Sequence, residues 1–273
     1  MDSNKGDKVI ILGVNADIGR NICKLFHDDG ASIIGTYRND FPEHDELSQM
    51  GNLKLVQCNL TQIDDVKRLA EFIRASDFNW SILFSSVGTS EPIGRFFELD
   101  FDEWESSINV NMIAQLRVIH ALYPLRNVEQ QVNIALLAGG GTNNQFRCYS
   151  AYCVAKIGLI KMCELLDDEA DDLNIFIVGP GFVKTKTHFE TLKAGAKAEL
   201  NLERVRQFME SESTGTAFED IYKCLLWSIS VGREVAGGRN LSVVHDKWGT
   251  DLLAEELKHD SNMYKLRRYK NDQ

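Results

Sequence analysis

Seven short runs rich in valine, isoleucine and leucine, at residues 8–12, 31–37, 53–58, 81–88, 132–137, 174–178 and 240–244, alternate with longer segments whose apolar residues recur every three or four positions. That alternation constrains this chain more than any single motif. Short β-branched runs read as strands, and the segments between them read as amphipathic helices with short connections. Strand and helix in turn are the pattern of an α/β doubly wound parallel sheet with helices on both faces. No low-complexity linker or composition break interrupts it, so residues 1–248 read as one domain and 249–273 as a C-terminal helical tail packing on it. The charged, glycine-poor segment at about 186–215 reads as a mobile lid. In the tail, Leu252, Leu253 and Leu257 stand at helical intervals and predict an amphipathic helix.

A chain of 273 residues with 44% hydrophobic and 26% charged residues has the balance of a globular protein with a substantial core. Its formal net charge of −10 argues against nucleic acid or an anionic membrane as partner. The basic run Lys265, Arg267, Arg268 and Lys270 reads as a solvated tail. No run is long enough to span a bilayer, and the polar start, residues 1–8, has no signal-like apolar region. The six cysteines and six histidines show no metal-ligand spacing, so no metal site is expected. A reducing cytoplasmic location fits these features.

The motifs fall at strand ends. After the first strand, Gly13 and Gly19 lie six apart and lead into a helix, an arrangement that aims backbone N–H groups and a helix dipole at a phosphate. The competing reading is an ordinary strand–helix turn with Asp17 as the helix N-cap. Arg38 closes the second strand, where an arginine accommodates the 2′-phosphate of NADP and an acid favours NAD. Farther on, Tyr152 and Lys156 are four apart in a helical period, so phenol and ammonium share a face. An ammonium beside a phenol favours the phenolate and lowers its pKa, which suits proton transfer near neutral pH.

Taken in order, the turn Gly13…Gly19, Asn111 in the fourth helix, Tyr152-x-x-x-Lys156 and Pro180-Gly181-x-Val183-x-Thr185 resemble the short-chain dehydrogenase/reductase family over residues 7–245. The resemblance implies a single-domain Rossmann-like fold and an NAD(P)-dependent oxidoreductase of carbonyl reductase or alcohol dehydrogenase type. It implies NADP as cofactor, with NAD as the alternative. Gly13, Asn15, Ile18 and Gly19 would line the pyrophosphate and adenosine ribose, Arg38 the ribose end, and Asn59 the adenine. Gly88 would match the family's glycine in the turn after strand four and border the cofactor. Tyr152 would be the general acid/base, Lys156 would hold the nicotinamide ribose and tune the tyrosine, and Asn111 would anchor a relay water. Pro180, Gly181, Val183 and Thr185 would flank the nicotinamide. The long helices carrying Asn111 and Tyr152 would pack against a second subunit, giving a homodimer or homotetramer.

Three departures stand out. Asp17 replaces a glycine of the first turn. Ser85-Ser86-Val87-Gly88 replaces an asparagine-containing turn, which loses a backbone-fixing amide. The catalytic serine expected thirteen or fourteen residues before Tyr152 is Gly139 or Ala138 here, with Thr142 the nearest hydroxyl and the Gly139-Gly140-Gly141 turn a candidate source of N–H donors. Losing such a donor costs about a hundredfold or more in rate. The stretch Gly139 to Thr142 with Tyr149 to Tyr152, and the ending Val244 to Trp248, resemble a subset associated with bacterial sugar and surface-polysaccharide chemistry. A small carbonyl or alcohol, including sugar derivatives, is the expected substrate class. The alternative is a cofactor-binding sensor or scaffold with little or no turnover.

Overall fold

The computed structural model describes residues 6–213 and 215–268; expectations touching residues 1–5, Thr214 and residues 269–273, Lys270 among them, lie outside them. Among the described residues, β1 (Lys8–Leu12), β2 (Ser32–Tyr37), β3 (Leu53–Gln57), β4 (Ile82–Ser85), β5 (Val132–Leu137), β6 (Leu173–Gly179) and β7 (Asn240–Ser242) form one parallel sheet in the order β3-β2-β1-β4-β5-β6-β7. The chain winds outward from β1 to β3, crosses back to β4 and winds the other way. The reversal between β1 and β4 opens a crevice at the carboxyl ends of the strands.

The strands carry consecutive apolar residues because both sheet faces are covered. Val9, Ile11, Ile33, Phe84, Ala135 and Phe176 pack on one side with α1 (Asp17–Asp28), α9 (Phe218–Ala236) and α10 (Asp251–His259). Their neighbours Ile10, Leu12, Ile34, Leu83, Ile134 and Ile175 pack on the other with α3 (Ile63–Ala75), α5 (Ala114–Leu122) and α6 (Ser150–Glu169). A one-residue slip in any strand would exchange the two sets, so the register is strongly specified.

Smaller helices complete the shell: α2 (His44–Ser48), α4 (Phe101–Ile108), α7 (Lys186–Ala194) and α8 (Leu200–Glu210). A π turn at Asn109–Ile113 joins α4 to α5, so the long fourth helix of the sequence reading is a helix interrupted at Asn111. Such single π turns concentrate at functional sites. In the tail, Leu253 and Leu257 are buried against the sheet-covering layer, whereas Leu252 is 66% exposed and takes no part in docking. Arg239 donates to the carbonyls of Leu257, Asp260 and Met263, and Glu164 on α6 accepts from the Leu266 N–H and Arg267, so residues 251–268 are tied down by hydrogen bonds as well as by leucines.

Candidate active site

The glycine turn after β1 is held from beneath. The Gly13 and Val14 N–H groups both donate to the Thr36 carbonyl of β2, at 3.1 and 2.9 Å, and Gly13 adopts φ 87°. A Cβ on Gly19 would lie 2.3 Å from the Gly13 oxygen, so only glycine lets α1 approach the turn this closely. The amide missing after β4 is replaced in kind: Ser86 Oγ reaches the carbonyls of Leu12 (3.1 Å) and Gly13 (3.0 Å), fastening β4 to the turn. Asp17 is not the N-cap of α1. Ala16 holds that position without a side-chain bond, and Asp17 is the first helical residue.

Helix α6 begins beside the end of β5 and carries Tyr152 and Lys156. Lys156 is 3% exposed, donates to the Leu137 carbonyl at 2.8 Å and stands 5.8 Å from the centre of the Tyr152 ring. Desolvation pushes its pKa down to about 8. The same burial, assisted by the nearby Cys153 and Glu190, pushes the Tyr152 phenol up. The expected lowering of the tyrosine by its lysine is therefore reversed here: the loss of water outweighs a cation whose hydrogen bond goes to a main-chain carbonyl.

Two of the three glycines have a steric cause. A Cβ on Gly139 would lie 1.9 Å from the Tyr152 hydroxyl, and one on Gly141 would lie 2.4 Å from Cys153 Sγ. The phenol thus fills the side-chain space of residue 139. The Ala138 side chain lies in the apolar layer with Leu136 and Ile177 and does not face the phenol. Of the two candidate serine positions, 139 is the one that faces Tyr152, and a side chain there has to displace the hydroxyl. Thr142 is half-buried and makes no side-chain hydrogen bond among the described residues, so nothing links it to Tyr152.

Asn111 is fully buried in the π turn. Its side chain accepts from the Thr89 N–H (3.0 Å) and donates to the carbonyls of Thr89 (2.9 Å) and Ser107 (3.0 Å). It is a clamp on the loop after β4. Its own carbonyl accepts from Gln115 Nε2 at 2.6 Å, and Gln115 in turn accepts from Ser85 Oγ at 2.6 Å. Gly88 lies where this clamp meets the lysine: a Cβ there would be 3.1 Å from Asn111 Oδ1 and 3.8 Å from Lys156 Nζ.

Helix α7 covers this region and is fastened at three points. The Glu190 carboxylate, 5% exposed, accepts from the Ser90 N–H and hydroxyl, both at 2.7 Å, and from Thr89 Oγ1 at 3.1 Å. Thr191 meets the Tyr149 hydroxyl at 2.8 Å. At the start of the helix, the Lys186 N–H donates to Asp17 Oδ2 at 3.1 Å. Truncating Glu190 to alanine leaves the Ser90 donors buried and unpaired, and such groups cost about 1–3 kcal/mol each. Glu190→Ala is expected to lower stability in urea by roughly 2–4 kcal/mol and to speed proteolysis between residues 186 and 213. Unchanged values in both assays would show that α7 is not held this way.

A cleft of about 1120 Å³ runs along the carboxyl ends of β1, β2 and β4. Gly13, Asn15, Arg38, Asn59 and Gly88 line it. Arg38 is exposed on its rim, and Asn59 Oδ1 is engaged by the Thr61 N–H and hydroxyl at 3.2 and 2.9 Å. Ile18 and Gly19 lie beneath the turn and not on the wall. Tyr152, Lys156 and Asn111 are also absent from the wall. Pro180, Gly181, Val183 and Thr185 lead into α7; Val183 is buried, and Gly181 lines a separate cleft with Phe182, Phe208 and Val244. The volume exceeds a typical small-ligand pocket and suits an elongated ligand.

A family model for short chain dehydrogenase matches residues 7–195. The chain belongs to the short-chain dehydrogenase family. It is 28% identical over 192 residues to nodulation protein G of Rhizobium sp. strain N33, covering 66% of this chain and 74% of that one. It is 25% identical over 188 residues to an uncharacterised oxidoreductase of Staphylococcus aureus strain MW2, covering 66% and 79%. Among solved structures, a Saccharomyces cerevisiae short-chain dehydrogenase/reductase superposes with a TM-score of 0.78 at 18% identity, covering 92% and 99%. A Shigella flexneri short-chain dehydrogenase complexed with NADP superposes with 0.74 at 17% identity, covering 89% and 99%. At these identities the superpositions establish the shared fold.

Within this family fold, several residues had no signal in the motif pattern. Glu190 sits in the charged stretch that reads as a mobile lid, and only its burial on the inner face of α7 marks it. Glu91, Glu98, Asp100, Asp102 and Glu103 line the same cleft as Lys186, Lys193 and Lys197. Sequence distance hides that opposition. Among the described residues, no cluster of metal-binding side chains forms and no helix is long and apolar enough to cross a membrane.

Proposed function

We propose that this family member is an NADP-dependent oxidoreductase acting on a small carbonyl or secondary alcohol. The observation that carries the reading is the juxtaposition at the β1/β4 switch point: a glycine-lined cleft leads from Arg38 past Gly13 to Gly88, and Gly88 abuts Lys156. The cradle suits a dinucleotide, because the turn is too tight for side chains at Gly13 and Gly19 and opens on the α1 N-terminus. Gly13 and Asn15 would hold the pyrophosphate, Asn59 the adenine end, and Arg38 the 2′-phosphate. When bound, the nicotinamide supplies or accepts the hydride.

The protein's part is to position the reactants and move one proton. Burial keeps Tyr152 a neutral phenol at pH 7, the form needed to protonate a carbonyl oxygen as it becomes an alcohol. Lys156, fixed by the Leu137 carbonyl, holds positive charge behind it. Helix α7, with Glu190 and Thr191 fastened, packs Ala194 against the same apolar cluster as Tyr152 and would limit water at the phenol. This arrangement favours reduction over oxidation at neutral pH. NADPH consumption with a panel of small aldehydes, ketones and keto sugars tests the reading; turnover with none of them would leave the non-catalytic alternative. That alternative, a cofactor-binding sensor or scaffold, draws support from the Tyr152 hydroxyl resting against Gly139, where no second hydroxyl orients a substrate.

The family resemblance also suggests a second copy as partner. Val154 and Leu165, eleven residues or about three turns apart on α6, are 50% and 43% exposed, and Ile113, at the end of the π turn that packs on α6, is 43% exposed. Phe96, Phe97 and Phe101 extend the apolar surface, and Trp104 ties α4 to α6 through Ser150 Oγ at 3.0 Å. Light scattering is expected to give a dimer or tetramer for the native chain and a smaller species for Val154→Asp/Leu165→Asp. A monomeric native chain would rule out this interface.

A further inference from the structure

Asp17 is the one charged residue in the glycine turn, and its carboxylate is already engaged. Oδ1 pairs with Arg20 at 2.9 Å, and Arg20 also meets Glu43 at 3.4 Å, so the side chain is held in place from its own helix. Oδ2 accepts the N–H of Lys186, the first residue of α7. Asp17 is itself the first residue of α1. One carboxylate therefore sits between two helix N-termini, whose N–H groups and dipoles both favour an anion. Thr185, the residue before α7, offers no side-chain cap of its own, so Asp17 supplies the capping oxygen from across the cleft. Asn15 and Ala16 on one side of this bridge and Lys186 on the other all line the cleft.

We infer that Asp17 is an internal stand-in for the cofactor's pyrophosphate: it latches α7 to the glycine turn and selects against dinucleotides until that latch is broken. The inference rests on the cofactor reading proposed above. A pyrophosphate placed at the turn is repelled by the Asp17 charge and competes with it for the Lys186 N–H. Entry requires Asp17 to release Lys186, which frees the first turn of α7, the helix whose Ala194 packs against the same apolar cluster as Tyr152. Binding of the dinucleotide and opening of the lid are thus coupled through one hydrogen bond. A ligand that has the adenosine 2′-phosphate but no 5′-phosphates does not meet Asp17.

Calorimetric titration of the native chain, Asp17→Asn and Asp17→Gly with NADPH, NADH and adenosine 2′-monophosphate tests this. Asn preserves the shape and removes the charge, so it guards against a folding defect in the glycine variant. Both variants are expected to bind NADPH and NADH at least tenfold more tightly than the native chain, with adenosine 2′-monophosphate unchanged. Equal NADPH affinity in all three proteins overturns the inference and leaves the cofactor reading standing. A gain shared equally by adenosine 2′-monophosphate also overturns it, since the effect would then be general charge and not competition at the pyrophosphate. Binding of no nucleotide by any of the three overturns both.

Discussion

Replacing Tyr152 by phenylalanine is expected to lower the rate of carbonyl reduction by about a hundredfold or more while leaving NADPH affinity within about twofold of native, since a positioned proton donor contributes roughly 10²–10⁴ in rate. The hydroxyl is the group lost, and its surroundings make the loss hard to offset. It rests against Gly139, where no neighbouring side-chain hydroxyl can take over, and Ala138 is turned into the apolar layer. The ring stays in a well-filled space beside Lys156, so the substitution is nearly isosteric and the fold should hold. Because burial raises the phenol, the native enzyme should keep its proton donor across the neutral range and show no acid-side requirement for tyrosine ionisation. Retention of more than a tenth of native turnover in the phenylalanine variant would assign the proton to another group.

Lys156→Met is expected to abolish turnover and, unusually for a change in a buried site, to stabilise the fold at pH 7. The folded lysine has its pKa lowered from 10.5 to about 8 by desolvation. The sign follows from which state holds the proton. Below pH 8 both folded and unfolded chains carry the ammonium, and the folded chain bears the full cost of burying it. Between about pH 8 and 10.5 the unfolded chain keeps the proton while the folded chain releases it, so native stability rises with pH through that window. A shift of this size corresponds to about 3 kcal/mol, an upper figure for what methionine relieves. The difference between variant and native should therefore shrink as pH rises from 8 to 10.5. Urea denaturation at pH 7 and at pH 10 measures it. A methionine variant that is less stable at both values would mean the hydrogen bond to Leu137 outweighs desolvation.

The fold was legible because it is written in local pattern: runs such as Val9 to Leu12 and Ile33 to Ile34 need apolar cover on both faces, and the intervening helical periods supply it. Gly13 and Arg38 were legible for the same reason, at strand ends that the alternation sets, whereas Asn15, Asn59 and Gly88 came from the family resemblance; all five line the one cleft. What the sequence could not carry were contacts between distant residues. Glu190 and Ser90 are a hundred positions apart, and Asp17 and Lys186 still farther, so no spacing connects them. The pKa of Tyr152 is illegible for a related reason: the lysine four residues away is visible in the sequence, but the desolvation that outweighs it comes from the whole assembled site. Ser86 illustrates a milder case, where the lost amide was visible and its replacement by a hydroxyl reaching two carbonyls was not.

We propose that the cleft over Gly13 and Arg38 holds a nicotinamide dinucleotide phosphate. Thermal unfolding of the native chain with NADPH, NADH or neither, at millimolar nucleotide, tests it most directly. Ligand at a hundred times its dissociation constant adds about 2.7 kcal/mol to stability, enough for a clear rise in Tm. A larger rise with NADPH than with NADH is the expected result, with Arg38→Ala removing the difference. An unfolding curve unmoved by either nucleotide would contradict the claim.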